Sequence, residues 1–356
     1  MTGIALGRKA PRLAITGPML GRNPGYVTTQ GEFLTDLFRE AGYDVVSASI
    51  RPGRIRRLAE IVGAMRREVP RVDAVIVETY GGLSFVVEDI SSALAHANGK
   101  PVIMHLHGGA MPGFARRFPG WTRRVLRRAA AIVAPSAYLA REMAPFAGTV
   151  HVIPNVLEVD GYPFRLREKV APRLFWMRAY HRLYNPVMAV RVLARVRAAL
   201  PDATLVMAGQ EKGMMADVIA AANRLGIAAA VEVLGFLNER QKREVAARCD
   251  IFINTTHVDN APVGVVEMCA MGLPVVSTHV GGIPDLLSHR ETGLLVPDGD
   301  DVAMADAILR LVGEPALAAR LSRNGPPLAA RCAWPAVRGQ WEALFAELLA
   351  PRKGGG

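Results

Sequence analysis

The sequence predicts an α/β protein made of two doubly wound parallel-sheet domains. Three observations carry this expectation. The chain has 356 residues, more than one core serves well and enough for two domains. Short apolar runs of strand length alternate with amphipathic stretches of helical period through its first half. The same alternation starts again after Ala171. A grammar of this kind gives parallel strands joined by helical crossovers, with both sheet faces covered.

In order, RLAITGP (12–18) reads as a buried strand, and GEFLTDLFREAGYDVVSASI (31–50) as an amphipathic helix, a stop at Gly42 and a second strand. RRLAEIVGAMRREVP (56–70) is a basic helix closed by Pro70, DAVIVETYG (73–81) a strand, and SFVVEDISSALAHANG (84–99) a helix closed by Gly99. KPVIMHLHGG (100–109) is a strand followed by a glycine pair. RRFPGWTRRVLRRAAAIVAPS (116–136) gives one strongly basic helix and a strand, and TVHVIPN (149–155) a last short strand. In the second half the strands are expected at 172–179, 203–210, 231–237, 250–256 and 273–279. The helices are expected at 185–201, Met214–Leu225, 239–249 and 262–271. DVAMADAILRLVG and WPAVRGQWEALFAELLA close the chain as helices. The expected domains are 1–165 and 166–335, with the seam in the polar, Pro-flanked stretch EVDGYPFRLREKVAP (158–172). Residues 336–356 add a C-terminal helix able to cross back to the first domain, and the tail RKGGG reads as disordered.

Hydrophobic residues make up 51% of the chain. No uninterrupted apolar run of about 18 residues occurs, so no membrane-spanning helix is expected. Arg8, Lys9 and Arg12 break up the N-terminal apolar stretches, so a cytoplasmic location is expected. Cys249, Cys269 and Cys332 are odd in number and fit no metal spacing, so they read as small buried hydrophobes. With no H-E-x-x-H and no Cys/His cluster, no metal is expected. The net charge is +11, and residues 1–173 hold most of it, with 24 Lys and Arg against 14 Asp and Glu. Such a field draws anionic lipid, nucleic acid or an acidic substrate, solvated faces being the plain alternative. Aromatic residues do not interleave with the basic runs, which argues against nucleic acid. TGPMLGRNPG does not supply G-x-G-x-x-G after the first strand, which argues against a nucleotide-binding oxidoreductase.

In open α/β sheets, ligands bind beyond the carboxyl ends of the strands. Two such domains facing each other would make a cleft. The chain's odd residues gather at strand ends, above all in DNAPVGVVEMCAMGLPVVSTHVGGIPDLL (259–287). A helix begins near Pro262, which suits the first helical position. The amides of Val263, Gly264 and Val265, at the positive end of the dipole, can meet a phosphate. Gly264 allows a close approach of ligand to backbone. Glu267, just over one turn further on, can point back to the same mouth and accept hydrogen bonds from vicinal hydroxyls of a ribose or a sugar. Taken singly, Glu267 is as well explained by a solvated helix face, and Asp259 by a simple cap.

The pattern acid-x7-acid, a small-residue helix, G-x-P-V-V and a Gly-Gly loop resembles the signature of retaining family-4 glycosyltransferases (group 1) with the GT-B fold of two Rossmann-like domains. ETGLLVPDGD (291–300), VIPN (152–155), FWMR (175–178), LVMAG (205–209), VLGF (233–236) and the closing Trp-rich helix are similar to the family in the same order. The resemblance implies that Glu267 holds the ribose of a nucleotide-sugar donor and that Asp259, where the family has Glu, contacts the transferred sugar. It implies that Asn260, Ala261, Pro262, Val263 and Gly264 meet sugar and phosphate, and that Arg178 neutralises the diphosphate. The family's Lys some five residues later is missing, with Leu183 and Tyr184 there. Arg182 or His181 is the candidate second cation. His107 is implied to lie near the donor sugar, with His105 structural. Gly25 is implied to line the cleft, and Gly235 and Phe236 to face the base.

The implied activity is hexosyl transfer from a nucleoside-diphosphate sugar, UDP or GDP in type, to a hydroxyl acceptor. The implied mechanism is front-face and metal-independent, with the leaving phosphate as base and no further cofactor. The expected acceptor is a glycan or a lipid-linked envelope precursor of bacterial polysaccharide or glycolipid synthesis. The basic first domain would attach peripherally to an anionic membrane. A catalytically degenerate family member acting as a binding protein, and a GT-B-like sugar epimerase, are the alternatives.

Overall fold

The computed structural model describes residues 10–19, 21, 28–48 and 54–350. Gly25, expected to line a cleft, lies outside the described residues. The chain divides into two compact units, one of residues 1–156 with 337–356 and one of 157–336.

The first unit holds β1 (Arg12–Thr16), α1 (Gln30–Glu40), β2 (Asp44–Ala48), α2 (Arg54–Glu68), β3 (Ala74–Thr79), α3 (Phe85–Ala97), β4 (Val102–Leu106), α4 (Met111–Arg117), α5 (Pro119–Leu126), β5 (Ala131–Ala134), α6 (Ala137–Ala147) and β6 (His151–Val152). Its strands form one parallel sheet in the order β2-β1-β3-β4-β5-β6. The order reverses between β1 and β3, which opens a crevice at their carboxyl ends.

The second unit holds β7 (Arg173–Met177), α7 (Pro186–Ala199), β8 (Thr204–Ala208), α8 (Met215–Arg224), β9 (Val231–Val233), α9 (Glu239–Arg248), β10 (Ile251–Asn254), α10 (Val263–Ala270), β11 (Val275–Thr278), α11 (Ile283–Leu286), β12 (Leu294–Val296), α12 (Asp301–Gly313) and α13 (Pro315–Ala330). Its sheet is also parallel, in the order β12-β11-β10-β7-β8-β9, with the reversal between β7 and β10. The last helix, α14 (Trp334–Leu348), belongs to the first unit from Val337 onward. There Trp341 and Phe345 pack their rings on Phe38, with centroids 6.0 and 5.6 Å away.

Two parallel sheets with helices around them are the architecture that the alternation predicts. Several elements differ from expectation. The single basic helix expected before β5 is two helices, because Pro119 lacks an N–H and starts α5 anew after Phe118. Helices α6 and α13 were not expected; each carries proline in its interior, Pro145 in the first and Pro326 and Pro327 in the second. Strand β12 is three residues of the 291–300 loop taken up by β11. Pro262 is the N-cap of α10 rather than its first helical residue, and Val265 donates to the Pro262 carbonyl at 3.0 Å. Only Val263 and Gly264 therefore keep amides directed beyond the helix.

Helix α10 is apolar nearly all round and sits in the core, so its position is set by packing. Helix α13 lies against it closely enough that a Cβ added at Gly325 would fall 2.2 Å from the Cys269 carbonyl oxygen. Gly325→Ala should therefore destabilise the protein by about 1–3 kcal/mol through overpacking. The urea midpoint should fall with an unchanged slope; an unmoved midpoint would show that α13 yields without loss.

Candidate functional site

The reversal between β7 and β10 sends the loops after these strands to opposite sides and leaves room between them. Arg178 follows β7, and Asp259 follows β10. Their side chains form an ion pair at this point, 19% and 13% exposed. Arg178 is presented there by two close approaches. Its N–H donates to the Ala208 carbonyl at 3.0 Å, and a Cβ on Gly209 would lie 1.8 Å from the Arg178 carbonyl oxygen. LVMAG therefore needs its glycine. The guanidinium lies over the Tyr184 ring, 4.9 Å from its centroid. Burial lowers the Arg178 pKa, against Tyr184 and Glu267.

The Gly-Gly loop fixes Asp259. Gly282 donates its N–H to the Asp259 carbonyl at 2.9 Å, and Gly281 (φ +54°) would place a Cβ 2.0 Å from the same oxygen. Asp259 Oδ1 accepts from the Asn260 N–H at 2.8 Å, and Asn260 is buried. Ala261 and Pro262 lead from there into α10.

Glu267 is buried, and its Oε2 lies 4.0 Å from where a Gly264 Cβ would stand. It thus points back toward the start of α10, as the spacing predicts. The same position meets the Met177 methyl at 3.3 Å, so the space beside Gly264 is shared with that side chain. Sequence reasoning missed the partners of Glu267 Oε1. Lys242 Nζ donates to it at 2.6 Å and the Tyr162 hydroxyl at 2.8 Å, while Glu239 accepts from both. Burial opposes the Lys242 charge, but Glu267 and Glu239 outweigh it and hold its pKa above the ordinary value. Burial and the same two acids push the Tyr162 pKa up.

The two candidates for the second cation stand in the turn that follows β7. Arg182 is exposed, and His181 Nδ1 accepts from the Leu183 N–H at 3.2 Å within its own turn. That turn is tied to the loop after β10: Thr255 Oγ1 donates to the Tyr184 and Asn185 carbonyls, and His257 N–H to the Leu183 carbonyl. The Gly235 carbonyl accepts from Gly209 N–H at 3.0 Å, and Phe236 is exposed.

At the reversal of the first sheet stands a second polar group. Glu78, on β3, is buried between His105 and His107, at the end of β4. Glu78 Oε1 lies 3.0 Å from His105 Nδ1, and Oε2 lies 2.5 Å from His107 Nε2. His105 meets the edge of Trp341 at 5.3 Å, and Tyr80 stacks on His107 at 4.9 Å. Burial alone would raise the Glu78 pKa, but the two imidazoles outweigh it and hold it at about 2. Burial and His105 lower that of His107. The three ligand atoms lie within 4.8 Å of one another, close enough for a metal ion. Each carboxylate oxygen already faces one ring nitrogen. All three cysteines are buried.

Two predictions follow from these charges. Lys242→Met leaves a buried carboxylate without its cation and should destabilise by about 3–5 kcal/mol. Adding Glu267→Gln should restore much of the loss in a double-mutant cycle of urea denaturation; strictly additive effects would count against the pair. In the first unit, Glu88 is buried, accepts the Tyr80 N–H at 3.1 Å, and has its pKa pushed up by burial to about 8 from 4.5. The native state holds this proton after the unfolded chain has lost it. The Glu88 contribution should therefore fall as pH rises from about 4.5 to about 8. Glu88→Gln should remove that component from the pH dependence of the urea midpoint.

A profile described as Glycosyl transferases group 1 matches residues 172–314, and one described as Glycosyltransferase Family 4 matches 35–161. The D-inositol 3-phosphate glycosyltransferase of Stackebrandtia nassauensis is 32% identical over 160 residues, 43% of this chain and 36% of that protein. The Mycobacterium tuberculosis glycogen synthase is 24% identical over 258 residues, 65% of this chain and 59% of that one. An amylovoran biosynthesis glycosyltransferase of Erwinia amylovora is 36% identical over 87 residues, 23% of this chain and only 21% of its own length. This chain thus spans a fifth to three fifths of these relatives. Among solved structures, Anabaena HepE with UDP and glucose superposes with a TM-score of 0.76 at 17% identity, covering 95% of this chain and 100% of that one. The sucrose-phosphate synthase of Thermosynechococcus elongatus gives 0.78 at 15%, covering 96% and 99%. Both share the two-domain GT-B fold.

Proposed function

The chain belongs to the group 1, family 4 glycosyltransferases, and we propose from that premise that it moves a hexose-type sugar from a nucleoside diphosphate to a hydroxyl acceptor with retention. The observation that carries this reading is the meeting of Arg178, Asp259 and the start of α10 at one sheet reversal, with Glu267 directed to the same place.

Glu267 Oε2 accepts from the ribose hydroxyls, while Lys242 and Tyr162 hold the other oxygen still. The diphosphate lies against the Val263 and Gly264 amides and the guanidinium N–H groups of Arg178 that Asp259 leaves unused. Asp259 meets a sugar hydroxyl. Gly235 and Phe236 lie beside the base. As the glycosidic bond breaks, charge grows on the leaving phosphate, and these fixed donors stabilise it without reorganising. The phosphate takes the acceptor's proton from the same face, so no protein nucleophile is assigned and no metal ion is required. His107 is assigned to a sugar hydroxyl.

The acceptor proposed is lipid-linked. Phe118 is 41% exposed, with Arg117 over its ring, Arg123 exposed on the next helix and Arg127 exposed just past its end. An apolar tip among cations suits the surface of an anionic membrane. Other arginines there are spent internally: Arg124 and Arg128 on Asp89, Arg116 on Glu142. No described helix is long and apolar enough to cross a membrane.

Calorimetry with UDP-, GDP- and ADP-sugars in the presence of EDTA tests the donor site. One donor class should bind, and Glu267→Gln should weaken it by about 10–100-fold, the loss of a charged hydrogen bond. Absence of binding to any donor would overturn the reading. Binding without transfer to any acceptor would favour a binding protein over an enzyme.

A further inference from the structure

We propose that Glu78 is a positioning residue: it locks His107 in the tautomer with its proton on Nε2 and leaves Nδ1 as an acceptor for a substrate hydroxyl. The proposal rests on the assignment of His107 to a sugar hydroxyl and deepens it.

An ionised carboxylate only accepts hydrogen bonds, and a neutral imidazole has one N–H to give. His107 Nε2 faces one oxygen of Glu78 and His105 Nδ1 the other. If both rings donate, His107 Nδ1 and His105 Nε2 carry no proton. His105 Nε2 agrees with this. It is buried without a hydrogen-bond partner, and its ring stands nearly perpendicular to that of Trp341, with centroids 5.3 Å apart. A bare lone pair is better tolerated there than an orphaned N–H or an imidazolium.

The carboxylate has little freedom to move away. Added Cβ atoms at Gly17 and Gly31 would lie 2.4 and 2.7 Å from Glu78 side-chain carbons, so the two backbones wall it in. Tyr80 holds one face of the His107 ring, and the His107 N–H donates to the Thr79 carbonyl at 2.8 Å. Beyond His107 the chain opens: Gly108 has φ +78°, and an added Cβ there would meet nothing within 4 Å. His107 stands just after β4, at the carboxyl end of the sheet where ligands bind, and the hydroxyl is assigned to the ring nitrogen that does not face Glu78. Only a defined tautomer makes that nitrogen an acceptor rather than a donor.

The ¹⁵N spectrum of the wild-type histidines at neutral pH tests the tautomer directly. His107 should show a protonated Nε2 and an unprotonated Nδ1; a proton on Nδ1 overturns the proposal. Glu78→Gln offers the two rings one acceptor and one donor, so one ring must change tautomer. Its kcat should fall about 10–100-fold, as for other groups that orient a functional histidine, with the donor KM unchanged. Wild-type kcat in that variant, with its ¹⁵N spectrum showing the His107 tautomer reversed, would also overturn the proposal. Wild-type protein that transfers no sugar would overturn the hydroxyl role along with the functional reading, and the nitrogen spectrum would still decide the tautomer.

Discussion

The ion pair of Arg178 and Asp259 bridges the one place where the second sheet reverses its strand order. The surrounding chain is arranged around it. Gly209 lets the end of β8 pass the Arg178 carbonyl, and Gly281 lets the returning loop pass the Asp259 carbonyl. Both backbones come closer than any side chain permits, so these glycines are demanded by packing before any ligand is considered. Thr255 and Thr256 then bind the carbonyls of 183–185 and hold the loop after β7 against the loop after β10. A charged pair of this kind adds little net stability, because desolvation offsets its attraction. Its value here is geometric, as it sets where two loop ends stand.

Each unit buries a carboxylate with hydrogen-bonded partners close to its reversal, Glu267 in one and Glu78 in the other, and each offsets it differently. Glu267 has a permanent cation, Lys242, and a phenol. Glu78 has two imidazoles, whose charge depends on the proton. The first arrangement keeps one carboxylate oxygen occupied and directs the other. The second ties the carboxylate to the tautomers of its neighbours. Both place an acceptor-only group where its orientation is fixed by partners rather than by solvent.

The parts of this picture that are local in sequence were legible in it. Alternating periods revealed both sheets, and the eight-residue spacing from Asp259 to Glu267 put two acids around one helix start. Glu78 was not legible, because DAVIVETYG reads as an apolar strand and its two histidines come from the neighbouring strand. Lys242 lay in an expected helix with no role assigned, and Tyr162 in a segment taken for a seam; each meets Glu267 only through the fold, 25 and 105 residues away in sequence. Helices α6 and α13 were hidden by internal prolines, although Ser136, whose Oγ accepts from the Leu139 N–H, was a readable cap for the first. The family resemblance named the roles of single residues, and it could not supply partners that the family signature does not contain.

The two departures from the family pattern bear on the same side chain. Tyr184 stands near where a lysine was expected and gives Arg178 an aromatic face, while Asp259 gives it an anion. Counting Arg178 and Lys242 against Asp259, Glu267 and Glu239, the place carries no excess of positive charge. An anionic ligand would be held there by oriented donors, the Val263 and Gly264 amides and the unused guanidinium N–H groups, and these act at hydrogen-bond distance. Long-range attraction for anions in this chain comes instead from its first half, where 24 basic residues face 14 acidic ones. That attraction fades beyond about 8 Å at physiological salt, so it raises the local concentration of an acidic surface or substrate without fixing its orientation. Charge and geometry are thus divided along the sequence: the first half carries the field, and the second carries a site without surplus cations whose selectivity rests on the directions of a few N–H groups.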